Sequence, residues 1–350
     1  MNIFLTGATG FLGTNLTKRF VKHGHHVYVM VRNERKLAGL FSEVSSEEAT
    51  RIHVVPGDLL VENLGITSDK IMELQGNMDV VYHTAAYLSF DESERERVFS
   101  INLTGTERVL ELSKTIDAKR FVHVSTAYTL GNETVGSEEL HPTDATFINA
   151  YEESKCQAEH LVMSKQAEIE PIIVRPAIII GDSVTGEADT TFGLYGILRT
   201  VALLKKIAAR KSEPENKTYS LLIEAETTSN LVPVDFVIDL LYYSLKDAVP
   251  GRIYHATNPN PPTNGEIFDA IRNGLDFHQV KLVSYEHASE LTEEEWKMNQ
   301  PLEVFKSYLN RSIVFKRDNT EELLSRIEAE DLQMTPNVLQ HIIEGFQKSS

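Results

Sequence analysis

Short, nearly uninterrupted apolar runs recur along the first half of this chain, and between them apolar residues fall at helical spacing. The runs Asn2–Leu5, His26–Val31, Ile52–Val55, Asp79–Tyr82, Arg120–Val124 and Pro171–Arg175 read as strands. They are apolar at consecutive rather than alternate positions, as strands buried on both faces are. The amphipathic stretches Phe11–Lys22, Asn33–Phe41, Asp69–Gln75, Ser93–Ser113 and Ala150–Gln166 read as helices between them. This alternation predicts an α/β fold, a doubly wound parallel sheet covered on both faces, with ligands at the carboxyl ends of the strands.

After Pro176 the pattern changes. Gly181–Asn230 holds glycines, polar runs and a helix expected over Phe192–Ala209, ending in the basic stretch Lys205, Lys206, Arg210 and Lys211. That stretch reads as a solvated helix end, where the dipole favours cations. Leu231–Val234 reads as a strand with a helix starting at Asp235, Tyr254–Thr257 as a further strand, and Asn258–Pro262 as a proline-rich loop. Asn264–Arg272, Leu291–Leu309, Thr320–Arg326 and Asn337–Lys348 read as helices. The expected division is a Rossmann-type domain over 1–180, to which 230–260 returns, and a smaller, mostly helical substrate lobe built from 181–229 and 261–350.

Composition narrows the partners. A formal charge of −17 disfavours general attraction to nucleic acid or to an anionic membrane surface, leaving small molecules as the expected partners. The single cysteine, Cys156, rules out an intramolecular disulfide framework and fits a reducing compartment. No histidine and acid are arranged around it, so it reads as an inert thiol. The chain enters a strand at once without a basic leader, and no apolar window approaches about 20 residues, so a cytoplasmic location is expected. No metal-ligand spacing is present, and no metal is expected.

The chemistry begins in T-G-A-T-G-F-L-G. Gly7 allows a sharp exit from the first strand, Gly10 lets backbone approach a pyrophosphate, and Gly13 lets the helix pack closely on the strand. The first-turn amides of that helix then face an anion. At the end of the second strand Arg32 stands where an NAD-binding chain places an acid, with Arg35 and Lys36 close behind; a guanidinium there suits a 2′-phosphate, so NADP is expected over NAD. Asp58, after the third strand, is placed beside the adenine or as a helix-start acid. Thr84, Ala85 and Ala86 let a ribose lie against main chain after the fourth strand, and His83 before them reads as a packed strand residue. Ser125 and Thr126 end the fifth strand. Tyr151 and Lys155, at i and i+4, share one helix face, where the ammonium is expected to lower the phenol pKa for proton exchange.

Together T-G-A-T-G-F-L-G, the strand-end hydroxyls and Y-E-E-S-K resemble the extended short-chain dehydrogenase/reductase superfamily, over about residues 1–260. The resemblance implies that Tyr151 is the proton donor or acceptor, that Lys155 also holds the nicotinamide ribose, and that Thr126, counted back from Gly131, orients the carbonyl, with Ser125 just before it. Asn102 matches the asparagine that completes the relay, or is a helix-interior amide bonded to nearby backbone. Cofactor contacts are further implied at Thr9, Phe11, Leu12, Leu59, Pro176 and Ala177. A homodimer through the Ser93–Ser113 and Ala150–Gln166 helices is the family's usual assembly. V-R-P-A-I-I-I-G-D-S-V-T-G-E and N-L-V-P-V-D-F-V resemble the thioester-reductase and fatty acyl-CoA reductase group, in which NADPH reduces an acyl thioester. Ala127 and Tyr128 after Thr126, and Ile178 three residues after Arg175, depart from sugar-nucleotide branches. The implied activity is NADPH-dependent reduction of an aldehyde, ketone or acyl thioester; a nucleotide-sugar epimerase and a non-catalytic NADP-sensing protein are the alternatives.

Overall fold

The computed structural model describes residues 1–188, 193–211 and 217–349. Phe192, where the second-lobe helix is expected to begin, and the Lys211 side chain lie outside the described residues; the helix itself runs from Leu194 to Lys211. The chain forms two compact units. The first is Met1–Pro176, Phe236–Ala256 and Phe315–Asp331; the second is Ala177–Asp235, Thr257–Val314 and Leu332–Ser350. Phe315–Asp331, which the sequence reading keeps with the helical lobe, thus belongs to the first unit.

In the first unit, β1 (Asn2–Thr6), β2 (His26–Val31), β3 (Ile52–Pro56), β4 (Val80–His83), β5 (Arg120–Val124), β6 (Glu170–Pro176) and β7 (Ile253–Ala256) form a seven-stranded sheet in the order β7-β6-β5-β4-β1-β2-β3. Every neighbouring pair is parallel. The order reverses between β1 and β4, and at such a switch point the carboxyl ends open a crevice. Register brings Thr6 opposite both Met30 and His83, and His83 opposite His123, so the loops after β1, β2, β4 and β5 leave the sheet side by side.

Helix α1 (Phe11–Lys22) buries Leu16, Thr17, Phe20 and Val21, and Phe20 meets Tyr82 of β4 edge-on at 5.0 Å. The helix expected over Ser93–Ser113 is broken. A short helix, Arg95–Phe99, passes through a π turn at Ser100–Thr104 into α2 (Gly105–Thr115). At the start of α2 the packing is close, since a Cβ on Gly105 would lie 3.2 Å from Leu59. Helix α3 (Ala150–Met163) starts at Asn149, whose side chain accepts from the Glu152 amide. The run expected over Leu291–Leu309 divides into Glu293–Asn299, a 3-10 turn at Gln300–Phe305 and Lys306–Leu309, because Pro301 lacks the amide that would continue the first helix. Beside its helices the second unit has two parallel strand pairs, Ile178–Ile180 with Leu231–Pro233 and Tyr219–Leu222 with Val280–Val283.

Candidate active site

The loop after β1 is shaped by contacts that only glycine permits. Gly7 has φ +79°, and a Cβ there would meet the Thr84 hydroxyl at 2.6 Å and the Ala85 nitrogen at 2.7 Å. A Cβ on Gly13 would lie 2.1 Å from the Gly7 carbonyl oxygen, so α1 packs directly on the turn. Gly10 differs. It is exposed, it N-caps α1, and a Cβ there would meet only the Gly7 oxygen at 3.5 Å. Protein packing therefore gives no reason for glycine at position 10, whereas a ligand lying against the backbone does. No acid occupies the first turn of α1 and no side chain caps it, so its amides remain available to an anion. Thr9, Phe11 and Leu12 are partly exposed around this turn.

Beyond β2, Arg32, Arg35 and Lys36 are all exposed, and none forms an ion pair among the described residues. Thr84 and Ala85 are partly buried and Ala86 is exposed; Thr84 donates to the Thr6 carbonyl at 2.7 Å. Asp58 uses one carboxylate oxygen on the Leu60 amide, 3.0 Å away, as a turn-forming residue does. Leu59 turns its side chain into the core against Gly105, and its carbonyl accepts from Arg108 at 2.6 Å. Pro176 closes β6 and accepts from the Ala127 amide at 2.9 Å; Ala177, also buried, opens the second unit.

Ser125 and Thr126 follow the end of β5, and α3 carries Tyr151 and Lys155 one turn apart. Ser125 and Thr126 are both buried. The Thr126 hydroxyl accepts from the Tyr128 amide at 3.3 Å, and the Ser125 hydroxyl is buried without a hydrogen-bond partner. An orphan hydroxyl at a strand's carboxyl end marks a place where another molecule supplies the partner. Lys155, 1% exposed, donates to the Val124 carbonyl at 2.7 Å and lies 3.1 Å from His123 Nε2. Tyr151 meets Phe90 edge-on at 6.4 Å.

Their electrostatics correct one expectation. Burial lowers Lys155 to about 7, so near neutrality its charge is too incomplete to acidify a neighbour. Burial first, and the Glu152 carboxylate second, instead hold the Tyr151 phenol above its ordinary value. Lys155 rests against β5, and Tyr151 stays protonated.

Asn102 lies in the π turn, a distortion frequent at functional sites. Its side chain accepts from the Tyr87 amide at 2.7 Å and donates to the Tyr87 carbonyl at 3.0 Å and the Ser154 hydroxyl at 3.1 Å. It is a backbone clamp that also reaches α3. His83 joins β1 to α2 through Thr6 and Thr106. The Thr106 hydroxyl donates to the Asn102 carbonyl, so His83 Nε2 must donate to Thr106, and Nδ1 accepts from Thr6 at 2.7 Å. Burial lowers His83 to about 3, which matches a neutral ring held from both sides.

Sequence reasoning missed the support beneath this site. Arg175 and Glu159 are both 0% exposed and pair bidentately, Nε to Oε1 at 2.8 Å and Nη2 to Oε2 at 2.6 Å. Arg175 also donates to the Ser137 and Glu139 carbonyls, and His141 and His255, both held neutral mainly by burial, flank it. Glu159 lies one helical turn beyond Lys155, so the pair pins α3 to β6. The available signal was an arginine inside an otherwise apolar strand. Cys156 beside Lys155 is buried and pushed up to about 12, an inert thiol.

The strand order, the glycine turn and the Tyr-x-x-x-Lys helix define the first unit as a dinucleotide-binding domain of the extended short-chain dehydrogenase/reductase type, a class of NAD(P)-dependent oxidoreductases. Comparison with known proteins makes the family specific: the chain belongs to the male sterility protein family, which matches residues 5–241. It is 25% identical to a linear gramicidin synthase protein of Brevibacillus parabrevis, over 99% of this chain but 7% of that protein. It is also 25% identical to fatty acyl-CoA reductase wat of Drosophila melanogaster, over 70% of this chain and 54% of that one. The chain thus spans about half or less of these curated relatives. Among solved structures, the terminal R domain from the myxalamid PKS-NRPS biosynthetic pathway shares the fold at a TM-score of 0.82 and 22% identity, covering 99% of this chain and 90% of that domain. UDP-glucuronic acid 4-epimerase from Bacillus cereus shares it at 0.71 and 16% identity over the whole of both chains. Among the described residues no helix is long and apolar enough to cross a membrane.

Proposed function

We propose that this protein is an NADPH-dependent reductase of a carbonyl carried as an acyl thioester. What supports the reading is Lys155 on the Val124 carbonyl, next to the unpartnered Ser125 hydroxyl at the carboxyl end of the sheet that presents the open Gly10 turn, with Tyr151 one helical turn before Lys155. The name of the Drosophila relative, a fatty acyl-CoA reductase, supports the substrate class, and the exposed Arg32, without an ion pair among the described residues, supports a 2′-phosphate and therefore NADP over NAD.

Gly7–Gly13, Arg32 and Thr84–Ala86 would hold the dinucleotide, with Ser125 and Lys155 toward its nicotinamide end. When bound, NADPH supplies the hydride that adds to the carbonyl carbon. Thr126 donates its hydroxyl hydrogen to the carbonyl oxygen and stabilises the charge that develops there. Tyr151 is held protonated before reaction and gives its proton to that oxygen. Lys155 would hold the ribose of the bound dinucleotide, and only the protonated fraction of this amine would lower the cost of the phenolate left behind. From a thioester the product is a hemithioacetal, which expels the thiol and leaves the aldehyde.

Purified protein given NADPH and acyl-CoA, aldehyde and ketone panels should consume NADPH at the nicotinamide absorbance band. Tyr151→Phe should reduce kcat by about 100-fold or more, the usual scale of positioned acid catalysis. Unchanged turnover in the variant would remove the assignment, and sugar-nucleotide interconversion without net absorbance change would favour an epimerase.

A further inference from the structure

One imidazole of the first unit is bonded on one side only. His123, fully buried one position from the end of β5, has its Nε2 3.1 Å from Lys155 Nζ. Its Nδ1 is buried without a hydrogen-bond partner. The rings beside it supply none. His83, its centroid 5.4 Å away, uses both nitrogens on Thr6 and Thr106, and Phe121, stacked at 6.5 Å, has no polar side-chain atom.

The amine fixes the tautomer. An ammonium has no lone pair, so Nε2 accepts from Nζ and the ring proton sits on Nδ1. The same tautomer serves the neutral amine, which keeps one N–H for Nε2 and one for the Val124 carbonyl, 2.7 Å away. Burial first, and the Lys155 charge second, hold His123 well below its ordinary value, so the ring is neutral and accepts rather than repels. The other groups acting on this amine are His83 of β4, also neutral, and Glu159 of α3, which is paired with Arg175 of β6. A buried, unbonded N–H is costly, and an apolar ring would fill the same place without that cost. What histidine supplies at this position and phenylalanine lacks is the Nε2 acceptor.

We propose that His123 is a positioning residue whose Nε2, with the Val124 carbonyl, fixes the Lys155 amine against β5 and favours its ammonium form. The two acceptors take two of the three ammonium hydrogens and leave one for the ribose of a bound dinucleotide. An acceptor on the charged form opposes the effect of burial, so the ring offsets part of the penalty that the interior places on the amine. The part His123 plays in turnover rests on the reductase reading above; its hold on the amine does not.

The test reads Lys155 through stability, on the full chain without NADPH. Melting temperature is followed from about pH 5 to about pH 10 for wild type, His123→Phe, His123→Gln and His123→Asn, each with and without Lys155→Met, and the difference within each pair isolates the amine. In wild type the Lys155-dependent stability begins to rise near pH 7. In His123→Phe the rise should begin about one pH unit lower, because the lost bond to the charged form outweighs the lost bond to the neutral one. His123→Gln, whose amide reaches about as far as Nε2, should restore the wild-type onset, whereas His123→Asn, whose amide ends near the place of Nδ1, should behave like His123→Phe. A ring that only packs would shift melting at every pH alike and leave the onset where it was. The inference is overturned if wild type and His123→Phe share one onset, or if the Gln and Asn variants do; the latter comparison decides alone where His123→Phe does not fold. In NADPH turnover, which should fall as the amine loses its proton, the alkaline limb of kcat should move down by the same pH unit in His123→Phe. No turnover on any substrate with the shifted onset intact would sink the reductase reading and leave the hold of His123 on Lys155 standing.

Discussion

Replacing Glu159 by glutamine should destabilise the first unit severely, and the size follows from the surroundings. Both members of the Glu159–Arg175 pair are 0% exposed, so no water can take over from the lost carboxylate charge. The other partners of Arg175 are the Ser137 and Glu139 carbonyls and two histidines, and burial holds those rings neutral. Glu159→Gln keeps the shape and one acceptor but strands the guanidinium, which costs about 3–5 kcal/mol. Arg175→Met should cost a similar amount by stranding the carboxylate instead. The double variant, Glu159→Gln with Arg175→Met, removes both charges and leaves two carbonyls and the glutamine amide short of partners, at about 1 kcal/mol each. Its cost, about 3 kcal/mol, should therefore fall below the sum of the single variants, about 6–10 kcal/mol, by about 3–7 kcal/mol. Equilibrium urea unfolding of the four proteins at pH 7 measures this coupling. Additive costs, or a Glu159→Gln penalty under about 1 kcal/mol, would show that the pair behaves like an exposed one and that the burial argument is wrong.

Three further outcomes follow from individual side chains. Lys155 sits near 7 in the fold and 10.5 when unfolded, so between those values the unfolded chain holds a proton that the native chain lacks, and native stability rises with pH. Lys155→Met removes that penalty: the variant should be the more stable at pH 7, with the gap closing toward pH 10, and a pH-independent gap in melting temperature would refute the burial effect. Gly13→Ala should destabilise by about 1–3 kcal/mol because its methyl meets immovable backbone, whereas Gly10→Ala should change stability by under about 0.5 kcal/mol yet weaken NADPH binding; melting and fluorescence titration separate the two, and equal effects would contradict the open-turn reading. Arg32→Ser should raise the NADPH KM by about tenfold or more and leave the NADH KM nearly unchanged, and an unaltered NADPH to NADH ratio would remove Arg32 from the 2′-phosphate.

Much of the first unit is legible because burial on both faces writes itself directly into consecutive apolar residues. The six strands read from V-I-L-rich runs lie within a residue or so of their observed bounds, and the glycine turn needed only its flanking strand and helix. Where the pattern misled, the deciding interaction is distant in sequence. The helix over Ser93–Ser113 looks continuous, but the π turn inside it accompanies an Asn102 amide that clamps Tyr87. Tyr219–Leu222 becomes a strand only by pairing with Val280–Val283, across a separation that no local pattern reports.

The polar residues that interrupt the buried strands carry the deeper lesson. His83 ends β4, His123 pairs with it one position from the end of β5, and Arg175 precedes the last residue of β6. Each would be expensive in a doubly covered sheet unless bonded, and each is: His83 between Thr6 and Thr106, His123 against Lys155, Arg175 on Glu159. They therefore form a polar layer just beneath the loops that carry Gly7 and Ser125. In a strand buried on both faces, a charged or imidazole side chain near the carboxyl end is a stronger pointer to the site's supporting structure than any periodicity. Above them runs the α3 stripe of Tyr151, Lys155 and Glu159, where one turn separates the phenol from the amine and the next separates the amine from the anchor of the helix.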